Sequence, residues 1–277
     1  MSGRTFSDGI RRFRARPFLR LAAVLLLSLC IVGCVTRPPA GIDEPVSGET
    51  LRRSLPLAPA VTLEKRGFTV GYSEPHRQAL WVCHILTAEQ LAAPKVRRSD
   101  RFRADPAVPG IPVAPEEYRG SGFDRGHLAP AADMSYSAEA MEDSFLMSNI
   151  SPQRPGCNRG IWADLEAQVR RWARREGRLM VISGPIFGGD GKIGRGIPVP
   201  RSFYKIVFDL TPPLKMIAFI VPNGSSKKPI SAFAVTVDEV EALTGYDFFG
   251  GLEDELEKFL ESSADYALWA APPHPAE

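Results

Sequence analysis

A chain of 277 residues with 34 Lys and Arg against 32 Asp and Glu has room for one catalytic domain with additions, and it carries neither an internal repeat nor a second domain. Six of the basic residues and one of the acids fall within residues 1–33, and without that stretch the balance is 28 to 31, a formal net charge of −3. This excludes a generally basic protein that holds polyanions by net charge, so any such affinity has to come from local clusters.

The chain opens with Arg4, Arg11, Arg12, Arg14, Arg16 and Arg20, an apolar run from Leu21 to Val32, and then Gly33-Cys34. The run is shorter than the roughly 20 apolar residues that span a bilayer, so residues 1–33 read as an export signal. Ile31-Val32-Gly33-Cys34 resembles the bacterial lipobox. That resemblance implies a lipid on Cys34 and a membrane partner in the cell envelope. Val35 offers no acidic retention residue, which favours the outer membrane. An uncleaved anchor and an ordinary secretory signal are the alternatives. Residues 34–60 hold Pro38, Pro39, Pro45, Pro56 and Pro59 with no apolar period, and read as a tether. That leaves 61–277 as a single domain.

Within the domain, Trp81–Leu86 predicts a buried strand, and 95–122 a loop with short strands, broken by Pro106, Pro109, Pro112 and Pro115. A turn at Gly120–Gly122 leads into a strand at Asp124–His127. Trp162, Leu165, Val169 and Trp172 share one face of a helix spanning Asn158 to Gly177, where glycine stops it. Strands follow at Leu179–Ser183, Phe203–Leu210, Lys215–Val221 and Ala232–Val237, then short helices at Asp238–Leu243 and around Leu252–Leu260, with a loose tail from Ser262. Strands and helices do not alternate strictly, which predicts an α+β fold with a largely antiparallel central sheet. Cys83 and Cys157 read as two free thiols, although export would permit a bridge.

The chemistry concentrates in two segments. Asp124-Arg125-Gly126-His127 sets one of only four histidines beside an arginine. Such a ring takes a proton from water near neutrality, and a guanidinium forks onto phosphate oxygens. Asn149, Asn158, Glu166 and Arg170 follow within the next 43 residues. His84 beside Cys83 lacks the further ligands zinc needs, and His76 and His274 lie in proline-flanked segments. The basic clusters are Lys95, Arg97, Arg98, Arg101 and Arg103 upstream, and the arginines around the 158–177 helix downstream.

These motifs, together with FRADP (102–106), SGPIF (183–187), VPRSFYKIV (199–207) and LTGYDFF (243–249), resemble the DNA/RNA non-specific endonuclease family. The resemblance runs from about Trp81 to Phe249. It implies a central sheet with a ββα-metal insert and Mg²⁺-dependent hydrolysis of DNA and RNA to 5′-phosphate products, with Mn²⁺ as a second possible cofactor. It implies His127 as general base, Asn158 as the single protein ligand of the metal, and Glu166 beside the metal. Asn149 is implied as an orienting residue, Arg125 as phosphate-proximal, and an upstream arginine as offsetting transition-state charge. Arg101 fits that last place, with Arg98 as the rival, and Arg170 is a weaker candidate for phosphate contact. From spacing alone Asn158 is a helix N-cap. A nuclease fold that binds nucleic acid without cleaving it, or a narrower nucleotide phosphodiesterase, are the alternatives. The intact set of His127, Asn149, Asn158 and Glu166 argues against the first.

Overall fold

The computed structural model describes residues 38–58, 60–188 and 191–270. The expected signal segment and Cys34 lie outside these. In chain order the elements are α1 (Gly48–Arg53), β1 (Val61–Glu64), β2 (Thr69–Ser73), β3 (Gln78–Thr87), α2 (Ala88–Ala92), β4 (Asp124–His127), α3 (Ala138–Ser144) and β5 (Ile150–Gln153). Then come α4 (Trp162–Glu176), β6 (Arg178–Ile186), β7 (Lys192–Ile193), β8 (Ile197–Pro198), β9 (Ser202–Asp209), β10 (Lys215–Pro222), β11 (Ala234–Val235), α5 (Val237–Thr244), α6 (Asp254–Glu261) and α7 (Ala267–Ala270).

Seven strands form one sheet in the order β1-β2-β3-β6-β9-β10-β11, with every neighbour antiparallel. The α+β expectation holds. The central strands are apolar throughout rather than alternating because both faces are covered. On one face Val82, Val181, Phe203, Val207 and Phe219 pack under Trp162, Leu165, Val169 and Trp172 of α4. On the other, Met180, Ile182, Tyr204, Ile206 and Phe208 meet Val240, Phe248, Leu256 and Leu260 of the C-terminal segments. Successive side chains of β9 therefore serve two cores.

Two expectations are corrected. Residues 38–58 are not a tether: Ile42 and Leu51 are buried in the second core, Leu214 N–H donates to the Ile42 carbonyl at 2.8 Å, and Leu57 N–H to that of Asp247 at 2.9 Å. Two well-placed apolar side chains are enough to pin a proline-rich stretch onto the sheet. Nor is the tail loose from Ser262. The α7 turn inserts Trp269, fully buried, against Trp172 with ring centroids 4.9 Å apart. The predicted 232–237 strand shrinks to a two-residue β11 after a 3₁₀ turn at Ile230–Phe233. Cys83 and Cys157 are free and buried, as expected.

The site rests on a small separate ribbon. β4 pairs with β5 antiparallel, His127 opposite Ile150 and Arg125 opposite Pro152. Gly126 is required there because a Cβ would collide with the Gln153 side chain. After β5 the chain makes a π-turn over Cys157–Ile161, kinks at Gly160 and enters α4, which ends at Gly177 with φ +98°. Two strands and a helix thus bring His127, Asn158 and Glu166 together.

Candidate active site

His127 closes β4 with its ring wedged between two aromatics. Phe145 meets it edge-on at 4.9 Å and Phe102 tilts against it at 5.5 Å. The residue is 9% exposed, and its Nε2 has no hydrogen-bond partner. Burial pushes the ring's pKa down to about 3, the Arg98 charge pushes the same way, and Asp100 opposes them. The imidazole is therefore neutral at physiological pH and has a nitrogen lone pair or N–H to spare. Its backbone is fixed from α4, since the Trp162 indole N–H donates to the His127 carbonyl at 3.3 Å.

A cavity of about 230 Å³ opens at this ring, lined by Arg98, Arg125, Asn158 and Glu166 and walled by Pro130–Ala132. Asn158 is oriented by charge. Its Nδ2 donates to Asp124 Oδ2 at 2.9 Å, and a carboxylate can only accept, so the amide cannot be flipped. No hydrogen bond engages its Oδ1 among the described residues. Asp124 is itself clamped by Arg159, with Nε and Nη2 donating at 2.8 and 2.7 Å, and this pairing holds its carboxyl below the usual range. Asn158 is not the N-cap of α4, because it stands inside the preceding π-turn.

Glu166, one side of α4 further on, reaches the same cavity. Burial raises its pKa, and the buried Lys205 ammonium pulls it back. Lys205 is shifted the other way by its own burial, while Glu166 and then Asp133 favour its charge. Lys205 is 1% exposed, donates to Ser183 Oγ at 2.5 Å and lies 4.4 Å from the Trp162 ring centroid. Sequence reasoning missed it. The clue was a lysine in the middle of the apolar run FYKIVF, a position that has to be paired or solvated by the protein.

The arginines separate into two groups. Arg125 donates through Nε and Nη2 to the Pro115 carbonyl, at 3.2 and 2.8 Å, and its guanidinium lies over Phe102. No carboxylate pairs with it among the described residues. Arg98 sits over Phe145 at 4.9 Å and lines the cavity beside His127. Arg101 does not line this cavity: it is exposed and bonded to Glu142 of α3 at 2.6 Å. Arg98, itself paired with Asp100 at 2.6 Å, does line it.

Asn149 does not face the cavity. Fully buried, its Nδ2 donates to the Ala129 and Ser144 carbonyls at 3.0 and 2.9 Å, and its Oδ1 accepts from Ala129 N–H at 2.9 Å. Every polar atom of its amide is spent on backbone, so it positions the segment that follows His127 and does not touch a reacting group. Arg170 points to Asp133 Oδ1 at 2.9 Å, whose other oxygen faces His84 Nε2 at 3.1 Å. It lines a neighbouring groove of about 340 Å³ with Lys95, Arg98 and Arg174. Arg98 is common to both hollows, so a polyanion could run from one to the other.

A neutral buried imidazole, a fixed amide oxygen, a carboxylate and two arginines share one polar hollow, the kinds of group that phosphodiester hydrolysis uses. The sequence matches the DNA/RNA non-specific endonuclease family over residues 47–255, and the chain belongs to that family. It is 35% identical over 215 residues to a nuclease of Nostoc sp., covering 73% of this chain and 77% of that one. It is 33% identical over 218 residues to mitochondrial endonuclease G of Homo sapiens, covering 73% of each. Its fold superimposes on a chain of the crystallised EndoG/EndoGI complex with a TM-score of 0.68 and 31% identity, over 74% of this chain and 92% of that one.

Proposed function

We propose that this endonuclease hydrolyses phosphodiester bonds of both DNA and RNA, with His127 as general base and Asn158 as the protein ligand of a Mg²⁺ ion. The observation that carries this reading is a neutral, buried His127, its Nε2 without a hydrogen-bond partner, lining the same cavity as Asn158. The neutral ring accepts the proton of the attacking water, a role worth about 10²–10⁴-fold in rate. Arg98 and Arg125 are placed to offset charge gathering on the phosphate oxygens. The Asp124–Arg159 clamp keeps the Asn158 amide nitrogen turned away, so that a hard oxygen is offered to a cation.

The donor set fits magnesium. One neutral carbonyl oxygen with a carboxylate nearby suits an ion that retains most of its waters, and Mn²⁺ accepts the same donors. Bound there, with Glu166 balancing its charge, the ion supplies Lewis-acid stabilisation and a template for the scissile phosphate. Sugar and sequence tolerance follow if contacts are to the backbone, and the arginines of the two hollows suit that.

Plasmid DNA and a transcribed RNA, each digested with Mg²⁺, Mn²⁺ or EDTA, test this reading. Both polymers are expected to degrade with either metal and neither in EDTA. Asn158→Ala is expected to need far more Mg²⁺, with partial recovery in Asn158→Asp. Cleavage that persists in EDTA, or Mg²⁺ titrations of Asn158→Ala and wild type that superimpose, would overturn it.

We propose also that Cys34 is lipidated and anchors the enzyme to a bacterial envelope membrane. The arginine-rich start, the Leu21–Val32 run and the Ile31–Cys34 box support this. No helix of the described residues is long and apolar enough to cross a membrane. Mass spectrometry of the mature N-terminus, compared with Cys34→Ser, is the test. An unmodified wild-type terminus would remove the proposal.

A further inference from the structure

A second polar cluster lies far from the nuclease chemistry, where α5 and α6 pack on the face of the sheet opposite α4. One carboxylate oxygen from each of Asp238, Glu241 and Glu261 falls within 4.8 Å of the other two. Acidic groups gathered on a surface are ordinary, but Glu261 is not on the surface. It is 5% exposed, packed beside Leu260 in the second core, and its Oε1 is buried without a hydrogen-bond partner.

Among the described residues nothing compensates this group. No lysine, arginine or histidine pairs with Asp238, Glu241 or Glu261 among the described residues. Burial first, then Glu241, Glu257, Asp238 and Asp247, push the Glu261 carboxyl up to about 9. The backbone adds to the imbalance. Glu261 is the last residue of α6, at the end of a helix that carries partial negative charge. Glu241 has one oxygen taken by the Phe248 N–H at 2.8 Å, which fixes its carboxylate in place.

We propose that Asp238, Glu241 and Glu261 bind a calcium ion that clamps α6 to α5. The chemistry is that of a hard cation: three carboxylate oxygens from two helices, with no nitrogen or sulfur donor in the cluster. Calcium takes oxygens at about 2.3–2.6 Å in flexible geometry, so ligands on opposite sides of it stand up to about 5 Å apart. Separations within 4.8 Å fit that span, and three carboxylates with no ordered substrate oxygens suit calcium's tolerance of irregular geometry better than magnesium's demand for a near-ideal octahedron. Asp238 is exposed, which leaves one side of the cluster open to solvent for entry and for water ligands.

The site differs from the Asn158 cavity in location and in donors, so it stands or falls independently of the nuclease mechanism. Thermal unfolding of the full chain in EGTA and in calcium, with isothermal titration of calcium, tests it. Calcium at about 100-fold over its dissociation constant is expected to raise the wild-type Tm by roughly 5–10 °C. In Glu261→Gln the rise is expected to vanish, while the Tm in EGTA near pH 7 stays close to that of wild type because the raised Glu261 carboxyl is already neutral there. Asp238→Asn, at an exposed position that folding tolerates, is expected to weaken calcium binding at least ten-fold. An identical wild-type Tm in EGTA and calcium would overturn the proposal and leave a cluster held only by protons. So would equal calcium-induced shifts in wild type and both variants.

Discussion

His127 and His84 are both withdrawn from solvent, at 9% and 2% exposure, and both keep one ring nitrogen without a partner. They differ in what the other surroundings supply. His84 Nε2 meets the Asp133 carboxylate at 3.1 Å, and Asp133 in turn holds Arg170 at 2.9 Å, so the ring sits inside a closed polar network. His127 has aromatic faces and a nearby Arg98, no carboxylate is hydrogen-bonded to its ring among the described residues, and the residue lines a cavity. His84, tied to Asp133 and through it to Arg170, cross-links β3 to α4. A histidine kept neutral beside a cation has the protonation state that the proposed general base needs. Residue type and burial alone do not separate them; the partner of the ring does.

The largest effect that can break this contrast is loss of the base. His127→Ala is expected to lower cleavage by about 10²–10⁴-fold while leaving the unfolding midpoint near wild type. His84→Ala is expected to do the reverse. It strips a partner from buried Asp133 and costs stability of about 1–3 kcal/mol, with far less loss of rate per folded molecule. Parallel urea unfolding and plasmid-nicking assays on the two variants decide it. If both lose rate equally, the two rings belong to one catalytic network and the contrast is wrong.

The arginines permit the same comparison at a smaller amplitude. Arg98→Ala removes a charge from the cavity wall and is expected to slow cleavage about 10²-fold, mostly in kcat. Arg101→Ala removes an exposed pair with Glu142 and is expected to stay within about two-fold. Steady-state kinetics on a fluorescent oligonucleotide would show it. The opposite order would return the transition-state role to Arg101.

The sequence named Arg125, His127, Asn158 and Glu166, which the fold gathers in one cavity, and other features escaped it at identifiable points. The DRGH strand and the α4 face were legible because each is local: a ribbon pair and a helical period of apolar residues. The choice between Arg98 and Arg101 was not, since the 95–122 segment has no period and the outcome depends on Glu142 of α3 capturing Arg101. What Asn149 orients was not legible, because its three backbone contacts come from segments brought together only by folding. Lys205 was hidden in an apolar strand that resembles every other core strand. Ile42, Leu51 and Trp269 were too sparse to form a pattern, yet each fills a defined place in a core.

The clamp on Asn158 sharpens the comparison between positioning and chemistry. Asp124→Asn removes the acceptor that forbids amide inversion and releases Arg159, but leaves Asn158 itself in place. The Mg²⁺ concentration for half-maximal rate is expected to rise about 10-fold or more, as for other residues that orient a metal ligand, with the rate at saturating Mg²⁺ largely recovered. A fall in rate that Mg²⁺ cannot restore would mean that Asp124 acts on the substrate instead.

A further effect concerns stability in acid, and it reads the His127 environment without any substrate. A ring whose folded pKa is near 3 refuses a proton that the unfolded ring accepts at about 6.5. The unfolded state therefore binds more protons as the pH drops, and stability is lost progressively from about 6.5 down through 3. Above 6.5 the ring contributes no pH dependence. His127→Gln cannot take a proton in either state, so the gap between variant and wild type should move in the variant's favour as the pH falls from 7 to 4. Carboxylates such as Asp133 titrate in both proteins and cancel in the difference. Urea midpoints at pH 7, 6, 5 and 4 measure that difference directly. Parallel curves would mean that the folded ring gains its proton near the ordinary value, and with it the neutral base that separates His127 from His84 would be lost.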